Sequence, residues 1–195
     1  MKKRLVPILD DDEFIRDKVP MTKASVRHLS VLKLGLSEGD VVYDIGSGTG
    51  SIACEIALQS DSLKVYAIEM KHEACELISR NADKFMLKNI RVIEGKAPAA
   101  FDGLEAPDCA FIGGSSGNLK DILDALNSMK RGIRVVINAV SLETMAEIQS
   151  VIKEFEISGL EIEQVSVSRS REIGNYHLMT AENPVMIASF TLGAE

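Results

Sequence analysis

The run Val41-Val42-Tyr43-Asp44-Ile45-Gly46-Ser47-Gly48-Thr49-Gly50 leaves this chain few folds to choose from. A strand-forming stretch ends in glycines at three alternate positions, the pattern of a buried strand that turns sharply into a helix. Without a Cβ, glycine lets the backbone turn tightly and lie close to a ligand. A helix predicted to begin near Thr49 aims its free amide N–H groups and positive dipole end over that turn. A second apolar strand ends at Glu69, nineteen residues after Gly50. A carboxylate there can accept hydrogen bonds from both hydroxyls of a ribose. The combination predicts a nucleoside-cofactor pocket. The competing readings are a tight turn with no ligand, and a Glu69 that merely caps the next helix.

From residue 41 onward strands and helices alternate. Strands are predicted at 41–45, 64–69, 90–94, 108–112 and 133–139, each short and apolar on both faces. Helices are predicted at 49–59, 71–86, 118–130 and 142–157. Thr22 reads as the N-cap of an earlier helix carrying Val26, Leu29, Val31 and Leu32 and ending at Gly35. Apolar strands alternating with helices imply an α/β fold, a mostly parallel sheet covered on both faces. Two later runs, 160–169 and 184–192, are joined by a loop without helical pattern and predict an antiparallel hairpin at one sheet edge. One domain spans 1–195: an N-terminal segment and helix (1–38), a cofactor-binding core (40–157) and the hairpin region (158–195). Four loops should face one pocket at the strand ends: Gly46–Gly50, Glu69–Met70, Gly95–Ala97 and Gly113–Gly117.

A net charge of −7 disfavours a sequence-independent grip on nucleic acid. The chain shows no membrane-length apolar run and no secretory signal after Met1-Lys2-Lys3-Arg4, so a cytoplasmic protein is expected. Cys54, Cys75 and Cys109 have no metal-type spacing and read as buried thiols; no metal site is expected. His28, His72 and His177 are far apart, and no nucleophile signature appears, so no catalytic residue is assigned. His28 and His72 read as surface or partly buried helix residues. The glycines of 113–117 either leave room for a large flat substrate or are turn residues.

Dinucleotide sites usually read G-x-G-x-x-G. Here the third glycine comes one residue early, and Asp44 stands two residues before the first. The motif resembles motif I of the class I S-adenosylmethionine-dependent methyltransferases, which implies their Rossmann-like fold with a seven-stranded sheet. Methyl transfer from a sulfonium asks mainly for alignment, which can contribute on the order of 7–11 kcal/mol, and so needs no acid–base constellation. Alternatives of the same fold act on transfer RNA or a small metabolite, or bind the cofactor without turnover; a nicotinamide-dependent oxidoreductase is disfavoured by the spacing.

Further stretches narrow the likeness: Asp11–Ile15, Met21-Thr22-Lys23, Gly95-Lys96-Ala97-Pro98, Ile112-Gly113-Gly114-Ser115, Ala139–Thr144 and Met179–Val185. With Asp44–Gly50 these resemble the decarboxylating precorrin methyltransferases of cobalamin biosynthesis, which act at carbon 15 of cobalt-precorrin-6B. The resemblance spans nearly the whole chain. It implies a homotetramer that methylates a tetrapyrrole macrocycle, releases carbon dioxide from an acetate side chain and leaves S-adenosylhomocysteine. It places cofactor contacts on Thr22, Gly46, Ser47, Gly48, Thr49, Gly50, Glu69 and Ala97. Lys96 departs from the acid common at its position, and Glu69 stands where Asp is frequent. For so large a polycarboxylate a cationic lining is expected, with Arg169 and Arg171, then His177 and Arg27, as candidates; each is equally readable as a solvated or subunit-contact side chain.

Overall fold

A computed structural model describes residues 8–193. Helix α1 (Ala24–Leu34) precedes five strands and four helices: β1 (Val41–Ile45), α2 (Ser51–Ala57), β2 (Lys64–Glu69), α3 (His72–Lys84), β3 (Ile90–Glu94), β4 (Cys109–Ile112), α4 (Leu119–Met129), β5 (Ile133–Ala139) and α5 (Leu142–Val151). The chain then runs through β6 (Ile157–Val165), β7 (Ser168–Ile173), β8 (Tyr176–Ala181) and β9 (Val185–Leu192). Seven strands form one sheet in the order β3-β2-β1-β4-β5-β9-β6. The first five are parallel, and β9 runs antiparallel between β5 and β6. No helix of the described residues is long and apolar enough to cross a membrane.

The period of two along the strands builds the two cores. Val41, Tyr43 and Ile45 of β1 face one side, where they pack with Leu123 and Leu126 of α4 and Ile148 of α5. Val42 faces the other, with Val31 of α1, Ile52 and Ile56 of α2, and Ile78 of α3. Asp44 shares the parity of Val42, so a carboxyl is carried into the α2 side of the sheet. Strand order reverses between β1 and β4, and the loops after those two strands leave toward opposite faces. A crevice opens where they part.

Several expectations need correction. Strand β3 is half exposed because it is the sheet edge, not apolar on both faces. Helix α2 begins at Ser51, after Gly50 takes the left-handed φ of 75°. Lys23, not Thr22, is the N-cap of α1, and the Ala24 N–H donates instead to Asp11 Oδ1 at 2.9 Å. Helix α5 stops at Val151 and a 3-10 turn follows over Ile152–Glu154, so β6 starts at Ile157. The segment expected as a loop after β6 is a two-stranded ribbon of β7 and β8. All its residues are exposed, so no buried face marks it, although Gly174-Asn175 is a two-residue hairpin turn.

Arg27 is fully buried and is no substrate ligand. Its Nε donates to Glu55 Oε2 at 2.9 Å and its Nη1 to Asp11 Oδ1 at 3.0 Å and Thr22 O at 2.8 Å; Nη2 donates to Leu9 O. The guanidinium also lies 4.8 Å from the Phe14 ring centroid. One cation thus fastens the N-terminal segment over α1 and α2. Removing it strands the buried Glu55 carboxylate, a loss that typically costs about 3–5 kcal/mol. Arg27→Leu should therefore lower stability by about that much in urea unfolding; a change under about 1 kcal/mol would show that the segment is held by packing alone.

Candidate active site

The glycine turn after β1 is shaped by its neighbours. Gly46, Gly48 and Gly50 all have positive φ, at 71°, 57° and 75°. A Cβ on Gly46 would lie 2.8 Å from Gly114 O, and one on Gly113 3.1 Å from the Phe111 ring and 3.3 Å from Gly46 O. The β1 and β4 loops therefore touch backbone to backbone. Gly113 is spent on that contact, whereas a Cβ on Gly114 would meet open space.

Two carboxyls hold the turn from beneath. Asp44 is fully buried; its Oδ2 accepts from Ser47 Oγ at 2.6 Å and from the Ala53 N–H at 3.0 Å. Glu69 is also buried, with Oε2 accepting the Gly48 N–H and Oε1 the Lys71 N–H, each at 3.0 Å. Glu69 thus does engage the start of α3, as the helix-capping reading has it, and binds the glycine turn as well. Asp44 Oδ1 and Thr49 Oγ1 are buried with no partner among the described residues. Buried polar atoms in native proteins are nearly always paired, and these two belong to residues that border one cavity, so they are groups that a ligand there would be suited to satisfy.

That cavity measures about 780 Å³ and lies at the carboxyl ends of the parallel strands. It is large enough for a nucleoside cofactor together with part of a substrate. All four predicted loops contribute to it, and Thr22, Gly46, Ser47, Gly48, Thr49, Glu69 and Ala97 stand in its wall. Gly50 does not. A Cβ there would meet Ile78 Cγ2 at 2.9 Å, so its job is to pack the turn on α3. Wall residues to which sequence reasoning gave no role include Asn138 near the end of β5, Val140 just after it, and Glu182-Asn183 after β8. The motif stretches Ala139–Thr144 and Met179–Val185 contain Val140, Glu182 and Asn183 and border Asn138, and that was the only signal for them.

The candidate cations divide. Arg171 lines the cavity. Arg169 does not; its guanidinium donates to Glu182 Oε1 at 3.0 Å and Ser25 Oγ at 3.1 Å, tying the ribbon to α1. His177 is exposed on β8, away from the wall. Lys23, Lys71 and Lys96 join Arg171 in the lining. His72 is exposed beside Glu94, His28 is half-buried, and all three cysteines are buried free thiols.

The family follows from comparison with known proteins. Residues 12–192 match the family model described as precorrin methyltransferase domain. The chain belongs to the precorrin methyltransferase family. Similar to it is a Saccharolobus solfataricus protein named probable cobalt-precorrin-6B C(15)-methyltransferase (decarboxylating), 39% identical, the match covering 95% of this chain and 96% of the relative. The fold is similar to that of a precorrin-6y C5,15-methyltransferase from Geobacter metallireducens, with TM-score 0.88, 31% identity, and 96% of this chain and 100% of that one covered. It is also similar to a precorrin 8W decarboxylase from Methanobacterium thermoautotrophicum, with TM-score 0.85, 31% identity, and coverage of 94% and 99%. The seven-stranded sheet is thus that of a class I methyltransferase.

Burial pushes the Asp44 carboxyl up to about 7, and the charge of Glu69 pushes the same way, against the bonds from Ser47 and Ala53. A raised carboxyl binds its proton more tightly in the folded state. Its stabilising effect is full at low pH and is lost as pH rises from the unfolded value of about 4 through about 7. Asp44→Asn keeps an acceptor for Ser47 and Ala53 without the charge. Its melting temperature relative to the parent should rise steadily over that window; a pH-independent difference would show that Asp44 is ionised throughout.

Proposed function

We propose that this family member uses S-adenosylmethionine to methylate carbon 15 of a cobalt-precorrin-6B macrocycle and removes carbon dioxide from an acetate side chain, in cobalamin biosynthesis. The observation that carries the reading is the convergence of the glycine turn, Glu69 and two orphaned buried oxygens on one cavity in a chain of this family. The relatives' names supply the substrate and the second activity.

The residues present fit the cofactor. Glu69 has two carboxylate oxygens for ribose hydroxyls, exchanging its contact with the Gly48 N–H for them. The backbone of Gly46 through Thr49 lets the methionine portion lie close, and Asp44 Oδ1 offers an acceptor for its ammonium. Thr22 closes the turn from the N-terminal side. Ala97, buried in the wall beside Lys96, reads the adenine through backbone groups, because the Lys96 side chain has no acceptor. When bound, S-adenosylmethionine supplies a methyl group on a sulfonium whose leaving thioether is neutral. The protein's contribution is then to align the macrocycle carbon, exclude water and balance charge.

Lys23, Lys71, Lys96 and Arg171 supply the cationic lining that a polycarboxylate requires, despite the acidic total charge. Arg169 acts at one remove, by holding the ribbon that carries Arg171. The assignment fits a cytoplasmic homotetramer, whose contacts would cover exposed apolar side chains such as Ile173, Tyr176 and Leu178 of the ribbon.

Two measurements test this reading. Calorimetry with S-adenosylhomocysteine should show Glu69→Ala binding at least about tenfold more weakly, a loss of about 1.4 kcal/mol or more; unchanged affinity would place the ribose elsewhere. Mass spectrometry after incubation with S-adenosylmethionine and cobalt-precorrin-6B should show a product that has gained one methyl and lost carbon dioxide. Cofactor binding with no change in the macrocycle would transfer the assignment to another acceptor or to a non-catalytic role.

A further inference from the structure

A second cavity, of about 200 Å³, lies beside the main one between the ends of β4 and β5. Gly113 through Ser116, with Asn138 and Val140, line both, so the two share a wall. The inner wall is apolar: Ile112, Leu119, Ile137 and Ala139 are all buried. Ser115, Ser116 and Thr144 bring hydroxyls to the remainder.

Charge separates the two spaces. The main cavity carries four cations, Lys23, Lys71, Lys96 and Arg171, alongside the acids Asp44, Glu69 and Glu182. Among the described residues no Lys, Arg or His lines the side pocket, and its one ionisable group is Glu147. That carboxylate accepts from Ser115 Oγ at 3.3 Å and from the Leu119 N–H at 3.2 Å. It therefore fixes the β4 loop and the first turn of α4 while leaving a negative charge at the pocket's wall.

A carboxylate placed in this pocket, without a cation and beside another carboxylate, is raised in energy. Carbon dioxide is neutral and apolar and meets no such penalty. Putting one carboxylate there, while cations hold the others, brings the charged ground state closer to the transition state for carbon–carbon cleavage. Resting on the activity proposed above, we propose that the side pocket seats the acetate arm that loses carbon dioxide, and that the cation-lined cavity holds the carboxylates that are retained. The bond between the arm's methylene carbon and its carboxylate carbon breaks, and the electron pair is taken up by the conjugated macrocycle. Carbon dioxide leaves with both oxygens, and the pair returns to the methylene carbon as it takes a proton from water, giving a methyl group and hydroxide. Glu147 is a positioning residue: it holds the wall and keeps the pocket unfavourable to a resting carboxylate.

The two chemical steps can be read separately, which makes the pocket testable. Thr144→Lys places a cation in it and Thr144→Leu fills it; both keep the backbone N–H that Ser141 Oγ accepts at 3.1 Å. Single-turnover mass spectrometry with S-adenosylmethionine and cobalt-precorrin-6B would measure methyl gain and carbon dioxide loss in each variant. Thermal shift with S-adenosylhomocysteine would confirm that fold and cofactor site persist. Methyl gain should stay near the parent's, while carbon dioxide loss per methyl gained falls about tenfold or more in both variants. An unchanged ratio would overturn the proposal. So would loss of both steps together with the thermal shift intact, since the pocket would then serve macrocycle binding as a whole. A parent chain that binds S-adenosylhomocysteine but alters no macrocycle would instead overturn the activity itself, and this assignment with it.

Discussion

Two buried carboxyls beneath one glycine turn are the constraint on which the rest of this structure depends. Asp44 and Glu69 sit at the ends of adjacent strands and grip the same short stretch, one through Ser47 and Ala53, the other through Gly48 and Lys71. Burial and the charge of Glu69 both disfavour a charged Asp44, so the arrangement persists only because the turn's donors converge on it. The turn in turn requires left-handed glycines and a neighbouring loop thin enough to touch it, which Gly113 and Gly114 provide. A cationic ligand entering here relieves the repulsion that the protein alone carries. That is the physical sense in which the site is incomplete without one.

Around this centre the fold divides the work. The α1, α2 and α3 side carries the N-terminal segment, clamped by Arg27, and brings Val19 through Lys23 to the cavity. The α4 and α5 side carries the side pocket and Glu147. The ribbon of β7 and β8 reaches in from the sheet's far end with Arg171. Under the proposed function the cofactor is held at strand ends, whereas the substrate is met by loops and a ribbon, which suits a small invariant ligand paired with a large one.

How much was legible in the sequence follows the range of the interactions. Strands β1, β2, β3 and β5 fall at their predicted bounds and β4 within one residue; in all but the edge strand β3, burial on both faces writes a continuous apolar run. The ribbon was missed because exposure on both faces leaves no periodicity, only the Gly174-Asn175 turn. Arg27 was misread for a different reason: its partners Leu9, Asp11 and Glu55 are distant in sequence, and nothing local distinguishes a buried arginine from a solvated one. Thr22 has the chemistry of an N-cap, yet Asp11 reaches the Ala24 N–H instead. Gly50 matches the motif but packs on Ile78, a contact visible only once α3 is in place. Motif context pointed to residues that line the main cavity; it was silent on Glu147 and on the difference in charge between the two cavities.

The most direct test of the central claim is a crystal structure of the complex with S-adenosylhomocysteine. The ribose hydroxyls should lie on the Glu69 carboxylate, the methionine portion over Gly46 through Thr49 with its ammonium at Asp44 Oδ1, and the adenine against Ala97. A ligand bound elsewhere, or one that leaves Glu69 still holding the Gly48 N–H and Asp44 Oδ1 still without a partner, would contradict the account.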